Sequence, residues 1–257
     1  MAAPTEAITP APASGQPVVV VDDVHVEYRV LATGRAAGAE ARGGLLQRGR
    51  GTRTVHALRG VSFVAHANES IGVIGSNGSG KSTLMRAVVG LTPTSRGSIH
   101  ATARPSLLGV GAALVKELSG SRNIVLGGLA MGFTRAEIEA KHDEIVAFAG
   151  LEEFIDLPMR TYSSGMTARL KFAIATARKH DILIVDEALA VGDKTFRRRS
   201  EDRIREIRDD AGTIFLVSHS MTSIRDTCSR TLWLDRGRLV MDGPTDEVVD
   251  AYEARGS

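Results

Sequence analysis

Gly75-Ser76-Asn77-Gly78-Ser79-Gly80-Lys81-Ser82 fits the pattern G-x-x-x-x-G-K-[ST] at every position. Its glycines free the backbone to turn N–H groups inward around an anion. A lysine at the seventh place reaches the outer phosphates of a nucleotide, and the hydroxyl after it can ligate Mg2+. Thr83 adds a further hydroxyl. Farther along, Ile182-Leu183-Ile184-Val185-Asp186-Glu187 is an apolar run that ends in two acids. Asp186 at such a strand tip is placed to hold Mg2+, and Glu187 beside it to act as general base towards water. In Val217-Ser218-His219-Ser220 a histidine follows another apolar run, within reach of a γ-phosphate bound in the same crevice. Tyr162-Ser163-Ser164-Gly165-Met166 opens a helical stretch. There Ser163, Ser164 and Gly165 read equally as an ordinary N-cap or as a second anion site at a helix start. A second anion site, in a chain that already has one phosphate loop, suits a dimer in which each copy completes the other's pocket.

The elements that must position these groups follow from the apolar pattern. The β-branched run Val18–Val26 predicts a strand, and Ala57–Val64 a second. Asn68-Glu69 predicts a turn before the short strand Ile71–Ile74. From Gly80 the spacing of Leu84, Met85, Val88 and Val89 is helical. Residues 112–160 read as mainly helical, with a start signal at Thr134 followed three residues later by Glu137. The runs 182–185, 214–217 and 232–234 predict buried strands, alternating with helices at 165–179 and 195–210. Strand–helix alternation predicts an α/β fold, a largely parallel sheet covered on both faces. Residues 1–17 hold four of the eight prolines and one charge, which reads as a flexible tail ahead of a domain over 18–257.

Composition excludes other classes. The 43% hydrophobic and 24% charged fractions are those of a globular chain, not of a disordered, collagenous or coiled-coil one. Cys228 is the one cysteine, so no internal disulfide and no zinc ribbon can form. It reads as a small packing residue, and Trp233 as core. No apolar run reaches the roughly 18 residues of a membrane helix, and the N-terminus has no signal-peptide pattern. The net charge of +2 hides a segregation. Segment 29–54 holds six arginines and one acid, and it reads as a basic insertion or long loop. It is either a solvated loop or a face towards anionic headgroups or phosphate-bearing cargo. Arg197-Arg198-Arg199 reads as a solvated helix face, since Glu201, Asp202 and Glu206 follow.

The order of phosphate loop, Tyr-Ser-Ser-Gly-Met, apolar-Asp-Glu and Ser-His resembles the nucleotide-binding subunits of ABC transporters, over roughly residues 19–254. The Tyr-Ser-Ser-Gly-Met form, where most of that superfamily has Leu-Ser-Gly-Gly-Gln, is similar to the subfamily that exports cell-surface polysaccharides and teichoic acids. Phe154–Pro158, Asp186–Asp193, Gly109–Ile124 and Met131–Phe133 strengthen that likeness. The resemblance implies a P-loop NTPase fold with a RecA-like core, an antiparallel β subdomain and a helical subdomain near 112–160. It implies that Tyr28 stacks on adenine and that Gly75 to Thr83 bind the phosphates of ATP. It further implies that Ser82 and Asp186 serve Mg2+, that Glu187 polarises water and that His219 senses the γ-phosphate. Ser163, Ser164 and Gly165 would contact the nucleotide of the opposite subunit, and Asp193 would lie at the dimer interface. One departure stands out. The glutamine that many members place after the third core strand is absent, because the only glutamines are Gln16 and Gln47 and the equivalent stretch is Leu107–Gly111.

The expected function is therefore ATP hydrolysis by a homodimer that drives export of a lipid-linked surface polymer through a separate polytopic permease. The expected location is the cytoplasmic face of the plasma membrane, with no nucleic-acid partner. Two other classes compete: a soluble ABC ATPase acting on ribosomes or DNA, and a P-loop small-molecule kinase. The first usually carries two motif sets or a long coiled-coil insertion, and this chain has one set and no heptads. The second leaves the Tyr-Ser-Ser-Gly-Met motif and His219 unexplained.

Overall fold

The structure, a computed structural model, describes residues 15–31, 52–108, 114–178, 180–186, 194–209 and 212–256. Its first strands, β1 (Pro17–Leu31) and β2 (Thr52–His66), pair antiparallel along their whole length. With β4 (Arg96–Ala101) they form a three-stranded sheet in the order β2-β1-β4. The basic segment is thereby narrower than 29–54. Residues 29–31 and 52–54 are strand, paired Arg29 to Thr54 and Leu31 to Thr52, because the β-branched and aromatic pattern runs on past Val26. Residues 32–51 lie outside the described residues. So does the tail over 1–14, while Pro17 already belongs to β1.

The second sheet has six strands in the order β5-β6-β7-β3-β8-β9. These are β3 (Ser70–Ile74), β5 (Ser106–Leu107), β6 (Ile182–Asp186), β7 (Thr213–Val217), β8 (Arg230–Asp235) and β9 (Arg238–Pro244). All neighbours are parallel except β8 and β9, which make an antiparallel hairpin. Every residue of β3 and β7 is buried, as expected of strands covered on both faces. Asn68 takes φ 64 in the turn before β3, a conformation that asparagine tolerates.

Three apolar clusters hold these layers. One fills the space between the two sheets around α1 (Lys81–Val88), with Leu84 and Met85 fully buried and Phe63 of β2 edge-on to Phe215 of β7. A second covers the other face of the larger sheet, under α6 (Lys194–Asp209), α7 (Met221–Thr227) and α8 (Thr245–Gly256). Cys228 and Trp233 both lie in it. The third is the core of the helical segment: α2 (Gly120–Ala130), α3 (Arg135–Ala140), α4 (His142–Ala149) and α5 (Ser164–Thr176). Thr134 and Glu137 form a reciprocal capping box at the start of α3. The stretches 114–119 and 150–158 are not helical; they meet each other at a Ser119–Pro158 bridge. Helix α5 joins two clusters, with Phe172 against Phe148 and Phe196 on one side and Leu170, Ala173 and Ile174 on the other.

Candidate nucleotide site

The glycine-rich loop runs from the end of β3 into α1, and two of its glycines are required by their surroundings. Gly75 has φ 142, and a Cβ there would stand 2.1 Å from the Leu234 carbonyl oxygen. Gly80, the N-cap of α1, has φ 109, and its Cβ would stand 2.8 Å from the Ala57 carbonyl oxygen. No L side chain is accommodated at either place. The loop is also fastened from below. The Gly237 N–H donates to the Ser79 carbonyl at 2.8 Å, and the Arg59 N–H donates to the Gly237 carbonyl at 2.8 Å. The turn between β8 and β9 thus clamps the loop against β2. Lys81 is only 7% exposed. Its Nζ donates to the Gly75 carbonyl at 2.6 Å and to the Ser76 carbonyl at 3.1 Å, so the ammonium is held across the loop.

A cavity of about 380 Å³ opens over the loop. Asn77 to Thr83 form its floor, Val55, His56 and Ala57 of β2 form one wall, and Asp186, Val217 and His219 the other. Topology explains that second wall. Strands β6, β7 and β3 are consecutive in the sheet and parallel, with Asp186 opposite Val217 and Val217 opposite Val73. Their C-terminal ends therefore open onto one edge, the place where open α/β sheets hold ligands. Asp186 is half-buried at the tip of β6, while His219 and Ser82 are exposed to the cavity.

The other expected residues fall in three groups. Gly75 and Ser76 lie behind the floor, where their carbonyls hold Lys81. Tyr28 does not line the cavity, but it is paired with Val55, which does. Directly opposed residues of an antiparallel pair share a face, so the 40% exposed phenol extends that wall outward. Ser163, Ser164 and Gly165 lie away from the cavity of their own chain, at the N-terminus of α5. Ser163 is the N-cap, its Oγ accepting from the Met166 N–H at 3.1 Å, and Ser163 and Ser164 are exposed. Glu187, Asp193 and the stretch Gly109–Gly111 lie outside the described residues. The β2 wall and the clamping turn carry no phosphate-binding motif in the sequence. The turn had a signal, Asp235-Arg236-Gly237-Arg238, since glycine in a short connection between apolar runs marks a hairpin.

Two oxygen donors suited to a hard cation, the Ser82 hydroxyl and the Asp186 carboxylate, line the same cavity. Among the described residues no group of three His, Cys, Asp or Glu side chains could hold a metal by itself. A cation here would take its remaining ligands from phosphate and water, the usual habit of Mg2+.

A family model described as ABC transporter matches residues 58–190. A teichoic acids export ATP-binding protein of Staphylococcus epidermidis is 39% identical over 236 residues, which cover 92% of this chain and 88% of that protein. One of Lactococcus lactis is 43% identical over 77% of this chain and 42% of its own length. The O-antigen export system ATP-binding protein of Myxococcus xanthus is 43% identical over 79% of this chain and 47% of its own length. The chain spans about half the length of the first curated relatives it matches. Among solved structures, an ATP-binding subunit of an ABC transporter superposes with TM-score 0.72 at 22% identity, over 93% of this chain and 95% of that one. A dimeric ATP-binding cassette bound to ADP and Pi superposes with TM-score 0.70 at 18% identity, over 88% and 98%.

Proposed function

Because the chain belongs to the ABC transporter family, we propose that it hydrolyses ATP to drive export of a cell-surface polymer, a lipid-linked teichoic acid or related polysaccharide. The observation that carries the ATPase reading is the single cavity in which Lys81, Ser82, Asp186 and His219 meet. The polymer class rests on the export ATP-binding relatives. The exposed Ser163–Gly165 terminus, away from the cavity of its own chain, supports a head-to-tail homodimer in which it closes on the partner's nucleotide. No helix of the described residues is long and apolar enough to cross a membrane. The relatives named as export ATP-binding proteins support a separate polytopic permease as the translocating partner, with this subunit peripheral on the cytoplasmic face.

In this reading adenine lies on Tyr28 beyond Val55, and the triphosphate enters the loop. Lys81 exchanges the Gly75 and Ser76 carbonyls for β- and γ-phosphate oxygens. Its charge and the α1 dipole then face the transferring group. Ser82 and Asp186 would hold Mg2+, which when bound neutralises charge on the phosphates. Glu187, next along the chain from Asp186, takes a proton from water as the water oxygen bonds to the γ-phosphorus. The bond from that phosphorus to the bridging oxygen breaks, and ADP leaves with the electron pair. His219 donates an N–H to a γ-phosphate oxygen and keeps the water aligned.

Glu187→Gln tests this reading. Turnover should fall below about one hundredth, the usual contribution of a positioned base, and ATP should trap a dimer visible by light scattering. Full ATPase activity in that variant removes Glu187 from the mechanism. Co-purification of the wild-type chain with a multi-span membrane protein tests the transport half; stable association with ribosomes instead would reject it.

A further inference from the structure

The residue before the N-cap of α5 is tied to a different part of the helical segment. Tyr162 is half-buried, and its hydroxyl donates to the Phe154 carbonyl at 2.7 Å. The neighbouring carbonyls of the same strap are taken by the start of α2. The Gly120 N–H donates to Leu157 and the Ser121 N–H to Ile155, at 3.4 and 2.9 Å. The phenol reaches this place because residue 120 has no side chain: a Cβ there would stand 2.3 Å from the Tyr162 oxygen. Burial raises the Tyr162 pKa, so the hydroxyl stays protonated and remains a donor at neutral pH. The strap 154–157 thus binds the first turn of α2 on one side and the residue beside Ser163 on the other.

We propose that Tyr162 is a positioning residue for the Ser163–Gly165 terminus, its hydroxyl fixing that terminus to the 154–157 strap and α2 so that it meets the partner's nucleotide in one orientation. The inference rests on the dimeric reading above. Ser163 and Ser164 are exposed, and among the described residues the side-chain cap at this end is the Ser163 hydroxyl bond to Met166, which orients the first turn of α5 but does not tie it to other elements. The phenol supplies such a tie one residue upstream. Tyr162 lies away from the cavity of its own chain. Its loss should therefore weaken dimer closure and leave binding of ATP to one subunit as it was.

The experiment is Tyr162→Phe, which removes one oxygen and keeps the ring, placed in the Glu187→Gln background. The ATP concentration that half-saturates the dimer should rise about fivefold, the loss of one net hydrogen bond. Fluorescent-nucleotide affinity, measured at protein concentrations where the chain is monomeric, should stay unchanged. Gly120→Ala should raise the same midpoint, and the double variant should show less than the sum of the two effects, because both act on one contact. An unchanged dimer midpoint in Tyr162→Phe overturns the proposal, as does an equal loss of monomer affinity. If the background protein forms no ATP-dependent dimer at all, the dimeric reading itself falls, and the positioning role with it.

Discussion

Gly237 carries no side chain, yet the floor of the nucleotide cavity leans on it. Its N–H supports the Ser79 carbonyl and its own carbonyl accepts from Arg59, so its peptide groups join the phosphate loop to β2. With φ 79, and a Cβ position 2.6 Å from the Ala57 carbonyl oxygen, it tolerates nothing larger. Gly237→Ala should therefore displace the turn rather than the bulk of the fold. The left-handed conformation alone costs about 1–2 kcal/mol, which corresponds to about a tenfold loss of ATP affinity if it falls on the loop. Nucleotide titration against a thermal melt checks this. A large fall in melting temperature with unchanged affinity would show that the turn stabilises the fold and not the loop. This residue also shows which part of the site the sequence hides. Lys81, Ser82, Asp186 and His219 line the cavity with side chains whose type and spacing announce phosphate chemistry. Ala57, Leu234 and Gly237 contribute backbone carbonyl and N–H groups, which carry no phosphate-binding signature in the sequence.

At the scale of elements, the hidden parts are those with one wet face. Strands β3, β6 and β7 are almost wholly buried and read as continuous apolar runs. Strand β4 is exposed at both ends and holds one large apolar residue, Ile99, so it leaves no run to find, and β9 offers only the short run Leu239–Met241 before the buried Asp242 and Gly243. The capping box of α3 was legible because its bonds are local, Thr134 to Glu137 and back. The aromatic trio of Phe148, Phe172 and Phe196, with centroids 5.8 Å apart, was not, since it joins α4, α5 and α6 across distant segments. The two features differ in energy as well. Thr134 is exposed, and Thr134→Ala should cost about 1 kcal/mol as an N-cap loss. Phe172 is 1% exposed, and Phe172→Ala should cost about 3–5 kcal/mol for burial plus cavity. Urea unfolding of the two variants measures both. Equal losses would mean that the trio is not what fastens α5 to the core. The larger loss matters for function too, because α5 carries Ser163–Gly165 at its other end.

For the molecule as a whole, the near-neutral charge of +2 conceals two unlike parts. Segment 29–54 has a net of +5, and the rest of the chain a net of −3. The cavity lies in the mildly acidic part, so in the proposed reading its attraction for phosphate comes from Lys81, the loop N–H groups and the α1 dipole at its floor. At physiological salt, charges more than about 8 Å away through solvent are largely screened. The chain leaves β1 at Leu31 and re-enters the sheet at Thr52, in the strand pair whose Val55 lines the cavity and whose Tyr28 is paired with Val55. The place of the segment's arginines in the chain raises the reading that they help to hold ATP; for any that lies more than a Debye length from the nucleotide, screening opposes it. Replacing Arg35, Arg42, Arg48, Arg50 and Arg53 by glutamine takes the net charge from +2 to −3. ATP affinity of that variant should stay within about twofold of wild type at 0.15 M salt. Adsorption to vesicles rich in anionic lipid should fall steeply, since each basic side chain near such a surface contributes about 1 kcal/mol. Co-sedimentation at low and high salt checks the second expectation, because an electrostatic contact weakens as salt rises. Equal vesicle binding by both proteins would leave the segment a solvated loop, and a tenfold loss of ATP affinity would place its arginines at the nucleotide instead.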